Sequence, residues 1–274
     1  MFLNQNVSWG EIREKLKKEG VNDKDIESMS KEIQRKMKEV EPPTIAIIGF
    51  TGVGKSSTLN ALFNAGQETS DVRACTQIAK KFQGDLEPYT GSKGVVNIYD
   101  MPGLGESIIK DKKHYKIYKE ILPKADVIVW TFHAEDRAMT PMQQALQTLI
   151  KNIGFDFTNR MIFAVNKADA IAPGEEAWNH KFNIPSQEQK NNLNDFENYI
   201  RERVNEILPK WNGPIISYSA KRRYHLDQLM TAMVSVMPKN KMWVLNNLAD
   251  VADYTEFMPK EYLSYIKSLT EKKK

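Results

Sequence analysis

The chain has 274 residues and a formal net charge of +4, and hydrophobic and charged residues make up 41% and 27% of it. This composition is ordinary for a globular domain, and no stretch approaches the uninterrupted apolar length that a membrane span requires. The small excess of positive charge does not predict nucleic-acid binding, and a single cysteine, Cys75, excludes both an internal disulfide framework and a cysteine-based zinc cluster.

Two amphipathic helices are predicted before the first strand. Apolar residues recur at helical spacing over 9–16 and again over 26–40, and Gly20 and Pro42 end the two patterns. Apolar stripes of this kind are typical of packing surfaces, so we expect the stripes to contact other helices of the chain.

A phosphate-binding loop is predicted directly after the first strand. Residues 49–56 read GFTGVGKS, which satisfies the pattern G-x-x-x-x-G-K-[ST], between a buried strand at 44–48 and a helix at 55–64. The glycines let the turn expose backbone N–H groups, and the helix N-terminus favours the same anion. We expect a nucleoside triphosphate here, with Lys55 reaching its β- and γ-phosphates. The predicted contact residues are Thr51, Gly52, Val53, Gly54, Lys55, Ser56 and Ser57.

Strand-like and helix-like segments alternate from Thr44 onward, which is typical of parallel strands joined by helical crossovers. The predicted strands are 44–48, 95–99, 126–132, 160–165 and 214–218, with an edge strand around 79–83; the helices are 55–64, 112–122, 139–152, 187–207 and 225–236. We therefore predict an α/β fold with a doubly wound, mostly parallel sheet and flanking N- and C-terminal helices, and a ligand site at the carboxyl ends of the strands. The predicted divisions are N-terminal helices (1–41), a nucleotide-binding domain (42–238) and C-terminal helices (239–274).

A magnesium site is expected beside the phosphate loop. The Ser56 hydroxyl is one ligand, and Asp100 follows the strand 95–99, where its carboxylate can hold the same ion. Three residues later, Gly103 can offer its backbone N–H to the γ-phosphate without a side chain in the way. Thr76 is the best candidate for a switch threonine that closes onto Mg²⁺, and Thr69 is a weaker alternative.

Two further motifs select the base. Residues 166–169 read NKAD after one predicted strand, and residues 219–221 read SAK after another. The Asp169 carboxylate is expected to accept from N1–H and the exocyclic amine of guanine, which adenine cannot satisfy. The Ala220 N–H is expected to meet guanine O6, and Lys167 to cover the ring. The predicted base contacts are Asn166, Lys167, Asp169, Ser219, Ala220 and Lys221.

With these motifs the chain resembles the Era-like P-loop GTPases of the translation-factor-related class, and in particular the bacterial YfjP/YeeP group. The likeness lies in the motifs GVGKSS (52–57), ACT (74–76), DMPGLGES (100–107) and AEDRA (134–138), and it covers about residues 44–236. The resemblance implies a GTPase G domain that binds GTP with Mg²⁺ and hydrolyses it to GDP as a molecular switch. Lys55, Thr76 and Gly103 are then the expected catalytic residues.

The group that positions the attacking water is not evident from the sequence. Leu104 stands where the best-studied switches have a glutamine, so we expect slow intrinsic hydrolysis that a partner, a dimer or a shifted side chain completes. Arg73 could act as an arginine finger in cis, and the Glu106 carboxylate could position the water. The alternative for both residues is a solvent-facing side chain without a catalytic role. Gly52 stands where an asparagine ligand for K⁺ is expected, which disfavours activation by potassium.

Three classes of function follow from these features. The first is a GTPase switch, the second a nearly non-hydrolysing module that forms a homodimer across the nucleotide face, and the third a protein attached peripherally to a membrane through its C-terminal helices. The expected ligands are GTP, GDP and Mg²⁺, with an unknown protein effector; RNA or ribosome binding rests on relatedness alone. Residues 1–6 show no secretory signal, so a cytoplasmic location is expected.

Overall fold

The computed structural model describes residues 9–39, 41–63, 79–85, 95–136, 138–238 and 241. These residues belong to two compact units, one containing the N-terminal helices and the other residues 43–85 and 96–237. The predicted C-terminal helices lie outside the described residues, so the three-part division of the chain stays a prediction. Within the described ranges, no helix is both long enough and apolar enough to cross a membrane.

The two predicted N-terminal helices are confirmed as α1 (Trp9–Lys18) and α2 (Asp23–Glu39). Gly20 adopts a left-handed φ of 85° after α1, which only glycine reaches without strain. Asn22 then precedes α2 and accepts a hydrogen bond from the Asp25 N–H at 2.9 Å, which satisfies one of the unpaired donors of the first turn. Leu16 and Ile26 are buried, as the apolar stripes predict.

A six-stranded sheet forms the centre of the second unit, as far as the chain is described, in the order β2-β3-β1-β4-β5-β6. Its strands are β1 (Thr44–Gly49), β2 (Lys80–Asp85), β3 (Val95–Asp100), β4 (Val127–His133), β5 (Met161–Asn166) and β6 (Ile215–Ser217). The β1 strand pairs in parallel with both β3 and β4, and β5 pairs in parallel with β4 and β6. The predicted doubly wound, mostly parallel sheet is confirmed.

Five helices of the described chain accompany the sheet. They are α3 (Lys55–Phe63), α4 (Ile108–Ile121), α5 (Met139–Ile153), α6 (Gln187–Asn205) and α7 (Leu226–Val236). The α4 helix begins four residues before the predicted 112 because the Ser107 side chain caps it and accepts from the Lys110 N–H at 3.3 Å. Ser186 and Gln189 form a reciprocal capping box at the start of α6.

The core lies on both faces of the central strands. Every residue of β5 is buried, and so are nearly all those of β1 and β4, which requires a covering layer on each face and explains their continuous apolar sequences. Three aromatic rings fill one side, with ring centroids 5.9 Å apart for Trp130 and Phe163 and 5.5 Å apart for Phe132 and Phe163. Because β1 has β3 on one side and β4 on the other, the chain reverses its winding direction at β1, and ligands bind at such a point.

Candidate nucleotide-binding site

The phosphate loop follows β1 and leads into α3, as predicted. Lys55, the first residue of α3, folds back so that its ammonium donates to the carbonyl oxygens of Gly49 at 3.2 Å and Phe50 at 2.9 Å. Its side chain is almost fully buried, and this desolvation lowers the pKa of Lys55 from 10.5 to about 8, although Asp100 and Glu106 favour the charged form. The loop therefore places a buried ammonium against its own carbonyl oxygens.

Gly54 packs against the base-selecting motif. Its φ is 90°, and a Cβ at this position would collide with the side-chain nitrogen of Asn166. That nitrogen donates to the Val53 carbonyl at 3.0 Å, so the phosphate loop is tied to the end of β5. The sequence pattern requires glycine at position 54, and the structure shows the steric reason.

Ser56 and Asp100 form the metal end of the site. The Ser56 hydroxyl donates to Asp100 Oδ2 at 2.7 Å, and Asp100 is fully buried at the carboxyl end of β3. A hydroxyl and one carboxylate fit Mg²⁺, which keeps several waters and takes its remaining ligands from phosphates. The described residues contain no cluster of three or more acidic, histidine or cysteine side chains that could hold a metal.

Residues 101–107, here called the switch segment, are hydrogen-bonded to the phosphate loop. The Leu104 N–H donates to the Gly49 carbonyl at 3.2 Å, and the Thr51 N–H donates to the Leu104 carbonyl at 3.0 Å. Gly103 lies so close that a Cβ would sit 2.5 Å from Thr51 Oγ1. The phosphate loop and the switch segment are therefore in direct contact through their backbones.

Two side chains of α4 hold the same segment from its other side. His114 Nδ1 lies 2.8 Å from the Gly103 carbonyl oxygen, and the Tyr118 hydroxyl donates to the Pro102 carbonyl at 2.7 Å. Both side chains are buried, and burial raises the pKa of the Tyr118 hydroxyl, so it stays a donor. Sequence reasoning missed both anchors, although their spacing of four residues places them on one face of a helix.

Leu104 and Glu106 take different places in the switch segment. Leu104 is buried with the hydrophobic core, so it cannot face a water beside the nucleotide. Glu106 accepts from the Thr51 hydroxyl at 3.3 Å and from the Lys110 ammonium at 2.5 Å. The hydrogen bond from Lys110 is the main reason that the pKa of Glu106 lies below its usual value. Glu106 is thus a carboxylate at the rim of the phosphate loop.

The base-selecting motifs meet where β5 and β6 end. Asn166 is buried and accepts from the Ala220 N–H at 3.1 Å, which joins the two motifs to each other. The Ala220 N–H is thereby engaged by protein, and its predicted donation to guanine O6 stays a prediction. Lys167 adopts a left-handed φ of 61°, which turns the chain between Asn166 and Asp169.

Asp169 is the buried acceptor of the site, with 1% of its surface exposed. Its two carboxylate oxygens accept no hydrogen bond from any residue that the structure describes. Its backbone is fixed from α6, where the Gln189 side-chain nitrogen donates to the carbonyls of Asp169, Ile171 and Gly174 at 3.2, 3.3 and 2.9 Å. Buried carboxylates normally accept hydrogen bonds, so these two oxygens are candidates for contact with a ligand that donates twice.

The structure thus brings most of the predicted residues to one edge of the sheet, namely Thr51 to Ser57, Asp100, Gly103, Asn166, Lys167, Asp169 and Ser219 to Lys221. Thr76, Thr69, Arg73 and Cys75 lie outside the described residues, so the switch threonine and the arginine finger stay predictions. Arg222, which pairs with Asp169 at 3.5 Å, was missed. Its only signal in the sequence was its position directly after the motif SAK.

Comparison with known proteins agrees with this geometry. Residues 44–167 match the family described as 50S ribosome-binding GTPase. The chain is 31% identical over 199 residues to the uncharacterized protein YfjP of Escherichia coli K12, in an alignment that covers 72% of this chain and 63% of YfjP. The aligned part therefore spans less than two thirds of that relative.

Solved structures share the fold. Era from Aquifex aeolicus bound to GDP·AlF4⁻ superposes with a TM-score of 0.53 at 20% identity, over 73% of this chain and 58% of Era. A dimerisation-deficient variant of Toc33 from Arabidopsis thaliana gives a TM-score of 0.53 at 17% identity, over 82% of this chain and 95% of Toc33. At these identities the comparison establishes the architecture.

Proposed function

Because the chain contains a P-loop GTPase domain, we propose that it binds GTP and GDP with Mg²⁺ and hydrolyses GTP as a molecular switch. One observation carries the proposal. Asn166 joins the phosphate loop to the motif that follows β6, so a cation for phosphates and a buried acceptor for the base belong to one connected site. Era, of the same fold, has been solved with GDP·AlF4⁻, a guanine nucleotide complex.

The proposed recognition of the nucleotide uses three groups of side chains. The Lys55 ammonium exchanges its two carbonyl acceptors for β- and γ-phosphate oxygens, which are stronger, charge-assisted acceptors. Ser56 and Asp100 would hold Mg²⁺, which would neutralise phosphate charge. Asp169 accepts from N1–H and the 2-amine of guanine, and adenine, lacking that pair of donors, leaves a buried carboxylate unpaired.

Switching depends on the contact between the phosphate loop and the switch segment. The Gly103 backbone approaches Thr51 closely, while His114 and Tyr118 fix the carbonyls on either side of it. A γ-phosphate that attracts the Gly103 N–H acts on a segment whose carbonyls at Pro102 and Gly103 are already held by α4. Its loss on hydrolysis changes the balance between these contacts, which is the usual basis of a nucleotide switch.

Among the described residues, Glu106 is the carboxylate suited to orient the attacking water, since it accepts a hydrogen bond from Thr51 at the rim of the phosphate loop. Its position at the rim is consistent with the predicted role of Glu106 in orienting the attacking water, which the buried Leu104 cannot fill. Slow hydrolysis by the isolated monomer is expected because Lys110 competes for the same carboxylate. Completion by a second copy is the proposed route to faster turnover, and a dimerisation-deficient variant has been solved of Toc33, a protein of the same fold.

The Leu104→Gln substitution is expected not to accelerate GTP hydrolysis. The new amide enters a buried apolar site, so the free energy of unfolding should fall by about 2 kcal/mol. Leu104→Met is the matched control, because a similar volume without a polar group costs less than about 1.5 kcal/mol. Denaturant unfolding and single-turnover hydrolysis measure the two effects. Faster hydrolysis at unchanged stability would contradict the placement of residue 104.

A concentration series of GTP hydrolysis, in Na⁺ and in K⁺ buffers, tests the proposed function. We expect GDP and a GTP analogue to bind with Mg²⁺, adenosine nucleotides to bind far more weakly, and turnover per molecule to rise with protein concentration. Equal rates in the two buffers are expected because Gly52 offers no side-chain ligand to K⁺. Equal affinity for adenosine and guanosine nucleotides would overturn the proposal.

The second candidate is a GTP-dependent dimerisation module that barely hydrolyses. The buried Leu104 favours it, since the described site lacks a glutamine at the water position. Gel filtration with GDP and with a non-hydrolysable GTP analogue separates the two candidates. A dimer that forms with the analogue and shows no turnover at any concentration supports the module, and turnover that rises with concentration supports the switch. The membrane, RNA and cytoplasmic predictions gain no support from the described residues and stay predictions.

A further inference from the structure

Arg222 lies next to the carboxylate assigned to the base. Its Nε atom is 3.5 Å from Asp169 Oδ2, an ion-pair separation that is longer than a hydrogen bond. Neither carboxylate oxygen of Asp169 accepts a hydrogen bond within the described part of the chain, and Arg222 Nε also donates none there. The guanidinium thus neutralises the buried charge without filling the acceptor positions of the carboxylate.

Four contacts fix the position of Arg222. Its N–H donates to the Ser219 hydroxyl at 3.0 Å, and its carbonyl accepts from the Asn183 side chain at 2.9 Å. Its Nη2 lies 3.4 Å from Glu175 Oε2, opposite the pair with Asp169. About a quarter of its side chain is exposed, so the guanidinium is held between two carboxylates at the rim of the site.

Glu175 is itself held from the solvent side. The Lys221 ammonium donates to its two carboxylate oxygens at 2.7 and 2.6 Å, and this hydrogen bonding is the main cause that lowers the pKa of Glu175. The result is a row of alternating charge, in the order Asp169, Arg222, Glu175 and Lys221. Only the inner end of the row, at Asp169, keeps acceptors without protein donors among the described residues.

We propose that Arg222 is a positioning residue for guanine, which offsets the buried charge of Asp169 and leaves both carboxylate oxygens for N1–H and the 2-amine. This inference rests on the proposed guanine-nucleotide function. A buried carboxylate without any cation is strongly disfavoured, whereas one held by hydrogen bonds from arginine has fewer acceptors left for a ligand. At the ion-pair distance of 3.5 Å, Arg222 offsets the charge of Asp169 and leaves its two oxygens able to accept from a ligand.

A double-mutant cycle measured with GDP and Mg²⁺ tests the inference. Arg222→Gln is expected to weaken GDP binding about tenfold, since one member of a largely buried charge pair is lost. GDP and a GTP analogue should lose affinity equally, because the change lies at the base and not at the γ-phosphate. Arg223→Gln, at the exposed neighbouring arginine, is the matched control and should leave affinity unchanged.

The Asp169→Asn variant distinguishes a role of Arg222 in positioning the base from a role in folding the loop, because this variant removes the charge that Arg222 offsets. In that background Arg222→Gln should change GDP affinity by about twofold or less, because the two residues act as one pair. The same tenfold loss in both backgrounds, or no loss in the parent chain, overturns the inference.

Arg222→Lys decides the case if the double variant binds too weakly to measure. Recovery of most of the GDP affinity supports a role through charge, and a loss equal to that of Arg222→Gln overturns it. Failure of the unsubstituted chain to bind GDP would instead refute the proposed function, so the two failures are distinguishable.

Discussion

Replacement of Asp169 by asparagine is expected to reverse the base preference from guanine to xanthine. The asparagine amide donates where the carboxylate accepted, so it opposes the guanine 2-amine and matches the oxygen that xanthine carries at that position. The residue is buried and accepts no hydrogen bond within the described chain, so the protein contact that the substitution alters is the ion pair with Arg222 at 3.5 Å. Affinity for GDP should fall roughly tenfold to several hundredfold.

Calorimetric titration of GDP and xanthosine diphosphate, each with Mg²⁺, measures this exchange. Asp195→Asn is the matched control, because it makes the same chemical change on an exposed face of α6 and should leave both affinities unaltered. If Asp169→Asn bound GDP as tightly as the unsubstituted chain, the carboxylate would not contact the base, and the assigned orientation of the nucleotide would be wrong.

Local patterns predicted the site because each motif follows a strand. The loop at 49–56, Asp100 and the segment 166–169 begin at the last residues of β1, β3 and β5, and parallel strands bring such segments to one edge. The start of α4 was predicted four residues late, since the apolar pattern is weak there and the capping side chain of Ser107 decides the boundary.

Contacts between distant residues were not predictable in the same way. The pair of Arg222 and Asp169 spans 53 positions, and it depends on the turn in which Ser219 and Tyr224 exchange two backbone hydrogen bonds. Burial of Leu104 likewise depends on how the switch segment packs beside β1, which no periodicity in residues 101–107 expresses. Long-range packing and hydrogen bonding, not local preference, set these positions.

Replacement of Lys55 by methionine is expected to move affinity and stability in opposite directions. Loss of the ammonium removes a charge-assisted contact to the phosphates, so affinity for GDP and GTP should fall about a hundredfold or more. The same ammonium is desolvated in the nucleotide-free protein, where its pKa is about 8 instead of 10.5. This difference corresponds to a destabilisation on the order of 3 kcal/mol of the charged form.

Stability should therefore rise when Lys55 becomes methionine. Two hydrogen bonds to the carbonyls of Gly49 and Phe50 are lost, at about 1 kcal/mol each, so the net gain near neutral pH is on the order of 1 kcal/mol. Thermal unfolding without nucleotide measures it, and Lys113→Met on the exposed face of α4 is the control. A clear loss of stability in Lys55→Met would show that the hydrogen bonds outweigh the desolvation.

The lowered pKa of Lys55 also makes the free energy of unfolding depend on pH. Between about pH 8 and 10.5 the unfolded chain keeps the Lys55 proton that the folded chain has released, so the free energy of unfolding rises with pH in that range. Phosphate oxygens favour the charged form, so nucleotide binding takes up a proton at pH values above about 8, and this uptake falls away as the pH is lowered toward neutral. Calorimetry in buffers of different ionisation enthalpy measures this uptake below the pH at which guanine loses its own N1 proton. Lys55→Met should abolish both effects, because the desolvated ammonium is the group expected to contact the phosphates.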